Sequence, residues 1–190
     1  HKGSESMKSA IFTALLLPAV AILGVPIVSR WSPFEVLGVE PASIPEKITD
    51  LKRSTSPNDF LMAPPGFFTA EPDEASPIFK VSIARLRTAW FTMINGVPRT
   101  QLIARKSSNE FHFEQRTPLL KFPDRIVVKF IPLSEDHSTL AIYSRSLYGH
   151  SDLGANKRRV KAWLKLLKEH IPAPFDYTEL PTGLPSNNVA

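Results

Sequence analysis

Eight prolines fall within residues 30–79 (Pro33, Pro41, Pro45, Pro57, Pro64, Pro65, Pro72 and Pro77), and a segment so interrupted does not sustain a long helix or a central strand. The stretch reads as an extended linker laid along a domain, with Ser56-Pro57-Asn58-Asp59 as turn chemistry and Phe60-Leu61-Met62 as side chains that dock on a core. Residues 171–190, with Pro172, Pro174, Pro181 and Pro185, read as an extended C-terminal tail that orders only against a partner. Residues 80–170 remain for a compact domain. In a chain of 190 residues, 43% hydrophobic and 22% charged, one modest core is expected.

Residues 10–29 form a run of twenty uncharged, mostly apolar side chains, about the length a helix needs to cross a hydrocarbon layer of roughly 30 Å. Pro18 and Pro26 kink or cap such a helix, which membranes tolerate. The competing reading is a cleaved secretory signal that starts at Met7, with Lys8 as its basic region and Ala19-Val20-Ala21 as its small-residue site. The run continues past that site to Val28, and Trp31 follows where interfacial aromatics sit, which favours an uncleaved anchor over residues 7–29. Residues 1–6 are set aside as a vector-derived leader. Lys2 and Lys8 precede the span, whereas Glu35, Glu40 and Glu46 follow Arg30, so the positive-inside bias places the folded part outside the cytoplasm.

Within residues 80–170, apolar positions at three- and four-residue spacing (Val81, Leu86, Trp90, Phe91, Ile94) predict a helix over 78–95, closed by Gly96 and Pro98. Four β-like runs follow, at 100–106, 110–116, 125–132 and 139–145. Alternation such as Phe111 and Phe113 against His112 and Glu114, or Ile126, Val128 and Phe130 against Val127 and Lys129, predicts one buried face per strand. A last helix over 152–170 carries Leu153, Val160, Trp163, Leu164 and Leu167 on one face and Lys157, Arg158, Lys161, Lys165 and Lys168 on the other. The expected fold class is α+β: a four-stranded antiparallel meander with both helices on one face, preceded by a transmembrane helix and a Pro-rich linker.

The chemistry-bearing residues gather around 143–159, where a strand, a polar turn with Gly149 and a basic helix meet. Ser151 or Asp152 is suited to N-cap the last helix, leaving amides to face an anion beside Arg145 and Arg159. The plainer reading is that Asp152 caps its own helix and Arg145 pairs with Asp152 or Asp124. The absence of cysteine excludes disulfides, thiolate catalysis and cysteine-ligated metal centres. The histidines show no ligand spacing, and the chain lacks a nucleophile elbow, a P-loop and a dinucleotide fingerprint, so no cofactor or metal is expected. Lys and Arg exceed Asp and Glu by 23 to 18, with the excess on the last helix. For a tethered domain outside the cytoplasm that excess suits anionic lipid better than nucleic acid, which is not expected as a partner.

Ser144-Arg145-Ser146, Gly149, Ser151-Asp152-Leu153-Gly154, Asn156 and Arg159 are preceded by Ser56-Pro57-Asn58, Arg116-Thr117-Pro118 and Phe122-Pro123-Asp124. In order and spacing, over about residues 55–170, the chain resembles the domain of unknown function 1499 family, membrane-associated proteins of bacteria. Where many members carry Cys, a second acid and Arg, this chain has Asp59, Arg125 and Leu147. The resemblance implies no activity and no cofactor; its bacterial, membrane-associated members, taken with the charge bias across the apolar run, lead to the expectation of a bacterial inner membrane with the soluble domain in the periplasm.

The expected function is that of a membrane-anchored, non-catalytic binding protein, an accessory or assembly subunit of a membrane protein complex. The Pro-rich segments would dock, and the Arg145–Arg159 region would anchor. The first alternative is a binder of a small anionic or lipid ligand through Arg145, Ser146, Ser151, Asn156 and Arg159. The third reading is a hydrolase with Asp124 or Asp152 as general base.

Overall fold

A computed structural model of the chain describes residues 31–171. The expected anchor at 7–29, and all but the first residue of the expected tail, lie outside the described residues, among which no helix is long and apolar enough to cross a membrane. The chain enters through a one-turn helix, α1 (Pro33–Val36), and a 3-10 turn (Ile48–Asp50). It continues as β1 (Asp59–Ala63), β2 (Glu74–Ala75), α2 (Ile83–Ile94), β3 (Thr100–Arg105), β4 (Glu110–Arg116), β5 (Pro123–Pro132), β6 (Ser138–Ser146) and α3 (Ala155–Lys168).

The strands form one sheet in the order β2-β1-β6-β5-β4-β3. Only β1 and β2 run parallel. This corrects the expected fold class: the sheet is six-stranded and mixed rather than four-stranded and antiparallel, and three helices are present among the described residues. The stretch read as a linker supplies two of the strands. Prolines confine strands to the gaps between them, and the gaps suffice: Asp59–Ala63 lies between Pro57 and Pro64, and Glu74–Ala75 between Pro72 and Pro77. β1 is an interior strand, held by β6 on one side and, over Met62 and Ala63, by the two-residue β2 on the other.

One face of the sheet packs under α2 and α3. Phe60, Met62, Phe113, Ile126, Val128, Phe130, Leu140 and Ile142 meet Leu86, Trp90 and Met93 of α2 and Val160, Trp163, Leu164 and Leu167 of α3. The three- and four-residue spacing on each helix produces this stripe and turns Lys157, Arg158, Lys161, Lys165 and Lys168 to solvent. Ser82 caps α2 by accepting the amide of Arg85.

The second face is covered too, which alternation in the strands did not predict. Leu61, Ala63, Val127, Ile131, Ala141 and Tyr143 pack beneath Ile44, Ile48, Leu51, Phe67 and Phe68 of the Pro-rich stretch. Val127 and Tyr143 are as inaccessible as Ile126 and Ile142 on the helical face. The covering segment has no ladder of its own and is fastened by side chains. The Ile48 amide donates to Glu110 Oε1 at 2.8 Å, and Arg53 bridges Asp59 and Asp73 at 2.8 and 2.7 Å. Burial pushes the Glu110 carboxyl up, but hydrogen bonds from His112 and Ile48 and the charge of Lys129 prevail and hold it below the usual range.

Candidate functional site

Strand alternation brings Gln115 of β4, Asp124 of β5, and Ser144 and Ser146 of β6 to the helical face at one end of the sheet, where β1 begins and α3 starts. Arg159, one turn into α3, reaches down among them. Its Nε donates to Gln115 Oε1 at 2.7 Å, its Nη1 to Ser144 Oγ at 2.9 Å and to Asn156 Oδ1, and its Nη2 to the Asp124 carboxylate. Asn156 donates through Nδ2 to the Asn58 carbonyl at 2.8 Å, to Asp152 Oδ2 at 2.7 Å and to Ser146 Oγ at 3.2 Å, and accepts the Ser144 hydroxyl at 2.7 Å. Asn58 in turn donates to the Gly149 carbonyl at 2.8 Å. Asn156, Ser144, Asp124 and Asn58 are all buried. Three separate pieces of chain are thereby tied to one another: the entry to β1, the ends of β5 and β6, and the first turns of α3.

The cap of α3 differs from both expected forms. The N-cap position belongs to Gly154, at φ +77°, and Asp152 satisfies the amides from two residues upstream, accepting Gly154 N at 2.8 Å and Asn156 N at 2.7 Å. A side chain at residue 154 would be strained by that φ, and its Cβ would lie 3.2 Å from Arg158 Nη1. Ser151 is exposed and accepts the Leu153 amide at 3.3 Å.

Of the residues singled out in the sequence, Asp124, Ser146, Asp152, Asn156 and Arg159 come together, with Ser151 at their margin. Arg145 does not join them. A residue between Ser144 and Ser146 in a strand projects to the opposite face, where Arg145 donates to the Ser43 carbonyl at 3.0 Å and to Ser54 Oγ at 3.3 Å. An Arg145–Arg159 face therefore does not exist. Arg145 stands in register with Arg125 instead, and among the described residues no acceptor meets the buried Nε of either one. Burial and the nearby Arg116 charge pull the Arg125 guanidinium below its usual pKa, against the pull of Glu114.

The buried cluster has little to offer a reaction. Asp124 is ion-paired beneath α3, and Asp152 directs both oxygens at helix amides, so neither is placed as a base facing an open site. Among the described residues no group of three or more His, Asp or Glu side chains is placed to hold a metal ion.

An open cleft of about 360 Å³ lies at the same end of the sheet, lined by Trp31, Arg99, Thr100, Gln101, Glu114, Arg116 and Lys121. Arg99 and Lys121 both adopt φ +56°, uncommon for residues with a side chain. Arg116 is gripped in a fork by Glu35, with Nη1 and Nη2 at 2.8 and 2.9 Å from its oxygens, and donates through Nε to Glu114 at 2.9 Å. Its guanidinium lies 5.6 Å from the Trp31 ring centroid. Sequence reasoning missed this cleft. Its residues share no spacing, and Glu35 and Trp31 reach it from a segment expected to be linker.

The Glu35 grip has a pH signature. Burial raises the carboxyl, but hydrogen bonds from Arg116 and Ser32 outweigh it and hold the group at about 2, from an ordinary 4.5. A carboxyl depressed in the folded state contributes stability that is present above its unfolded pKa and lost as pH falls through the folded one. Between about pH 4.5 and pH 2 the wild type therefore loses stability more steeply than Glu35→Gln, in thermal melts at stepped pH. Parallel curves over that window would show that the grip contributes nothing.

No curated protein and no solved structure matches the chain. A family model described as "Protein of unknown function (DUF1499)" matches residues 48–167, a span that includes Asn58, Asp124, Ser144, Asp152, Asn156 and Arg159. Several of the residues behind the resemblance are thus the ones that tie the entry to β1 and the start of α3 to the sheet, and the chain belongs to this family.

Proposed function

We propose that this chain is a membrane-anchored binding protein, an accessory or assembly subunit of a bacterial inner-membrane complex whose folded domain stands in the periplasm. The observation that carries the reading is the buried cluster. Its motif residues satisfy one another across three chain segments, an arrangement that makes a rigid platform and leaves the open cleft and the flanking segments for contact. The twenty-residue apolar run ends at residue 29, two residues before Trp31, so an anchor there would tether the platform on a short leash. Native mass spectrometry of the full-length chain, extracted gently from its own membrane, should show a second polypeptide attached. A lone, ligand-free chain would overturn the reading.

The second reading, a binder of a small anionic or lipid ligand, is favoured by the cleft, where Arg99 and Lys121 have no carboxylate partner among the described residues. A lone chain with a lipid-sized adduct in the same experiment would put that reading first.

A further inference from the structure

The two ends of the sheet are chemically unlike. At one end the turns are polar, Ser107-Ser108-Asn109 and Ser134-Glu135-Asp136-His137. At the other end lie α1, the β4–β5 turn and the β6–α3 turn, drawn together by Phe34, which stacks on Phe122 at 5.3 Å and leans tilted against Tyr148 at 5.4 Å, and by the Ala42 amide on the Leu147 carbonyl at 2.8 Å. Six of the eight exposed large apolar side chains among the described residues belong to this end: Trp31, Val36, Leu37, Val39, Leu119 and Leu153. Single exposed apolar residues are ordinary, but a concentration at one end is not. Leu119 and Leu153 are 74% and 84% exposed at the tips of their turns, and Leu153 holds φ +52° there.

Cations surround these tips. Arg99, Lys121, Lys157 and Arg158 have no carboxylate partner among the described residues, and Glu40 is the exposed acid that opposes them. The apolar run 10–29 ends two residues before Trp31, so a bilayer that held the run would lie against this end of the domain and not the other. Apolar tips with a cationic rim are the pattern of a surface that settles into the interfacial zone of an anionic membrane, with Trp at headgroup depth.

We infer that this end of the sheet docks on the bilayer, with Leu119 and Leu153 entering the acyl boundary and Lys121, Lys157, Arg158 and Arg99 meeting lipid phosphates. The inference rests on the membrane anchorage in the proposed function and not on a protein partner.

The chain has no cysteine, so single substitutions carry a polarity-sensitive label without background. The full-length protein is reconstituted in vesicles of phosphatidylcholine and phosphatidylglycerol in equal parts, with Leu119→Cys, Leu153→Cys, Ser108→Cys at the opposite end, and Val20→Cys within the apolar run. Labels at 119 and 153 should blue-shift and be quenched by brominated acyl chains, while the label at 108 reads water. Lys121→Glu with Lys157→Glu should lower the docked-to-undocked ratio on the order of tenfold, and phosphatidylcholine alone should lower it in the same direction. Labels at 119 and 153 that read water while residue 20 reads hydrocarbon would overturn docking and leave the anchor standing. Water at residue 20 would overturn the anchor, with docking still decided by 119 and 153. A blue shift that ignores brominated lipid but grows with protein concentration would assign the face to a second copy of this chain and overturn the bilayer assignment.

Discussion

Arg159→Met is expected to destabilise the fold by about 3–5 kcal/mol, because it leaves the buried Asp124 carboxylate without its counter-charge. The pair is almost enclosed, with side-chain exposures of 9% for Arg159 and 5% for Asp124, so water does not replace the lost guanidinium. Gln115, Ser144 and Asn156 lose a donor in the same step. Asp124→Leu alone should be of similar severity, since it strands the cation. The double variant should lose clearly less than the sum of the two, because removing both charges also removes the cost of burying either one. Urea unfolding in detergent, followed by tryptophan fluorescence, measures all three. Additive losses would mean that the two side chains act independently and that the cluster is not the fastening described above.

Trp90→Ala should cost about 3–5 kcal/mol, as expected for a large ring deleted from a core. Trp90 is fully buried where α2, α3 and the sheet meet, with its ring 6.1 Å from Phe113, 6.0 Å from Phe130 and 5.9 Å from Trp163. Its Nε1–H finds no acceptor among the described residues, a donor buried at a cost. Trp90→Phe keeps most of the ring contact and removes that donor, so it should cost less than half as much as the alanine variant. Equal losses in the two variants would point to an acceptor for the indole N–H and to a polar role for the residue.

Periodicity was informative wherever a single element buries a single stripe. The spacing of Leu86, Trp90 and Ile94, and of Val160, Trp163, Leu164 and Leu167, is reason enough for helices there, and the alternation of Phe111 with Phe113 for a strand. It misled where burial comes from both sides. Val127 and Tyr143 lie under residues from the distant Pro-rich stretch, Ile44 to Phe68, and no pattern within their own strands announces that cover. Proline density misled in a second way. It excludes long regular elements, yet a five-residue strand between Pro57 and Pro64 satisfies the same rule and takes an interior place in the sheet, between β2 and β6. The candidate site divides along the same line. Asp124, Asp152, Asn156 and Arg159 stood out by residue type and turn chemistry, but the face that each occupies is a matter of strand parity, which separates Arg145 from Ser144 and Ser146 by the thickness of the sheet.

By itself, then, the sequence determined local matters: the helix stripes, the turn at Gly149, the twenty-residue apolar run, and the polar motifs that mark the family. Those follow from neighbours in the chain, through spacing, φ preference and side-chain chemistry. Only the tertiary structure decided that the Pro-rich stretch is part of the sheet and the lid of its second face, that Arg159 rather than Arg145 meets Asp124, and that Glu35 and Trp31 complete the Arg116 cleft. Each of these joins residues distant in sequence, and such contacts are set by the burial of whole faces and by the pairing of charges removed from water, neither of which leaves a local trace.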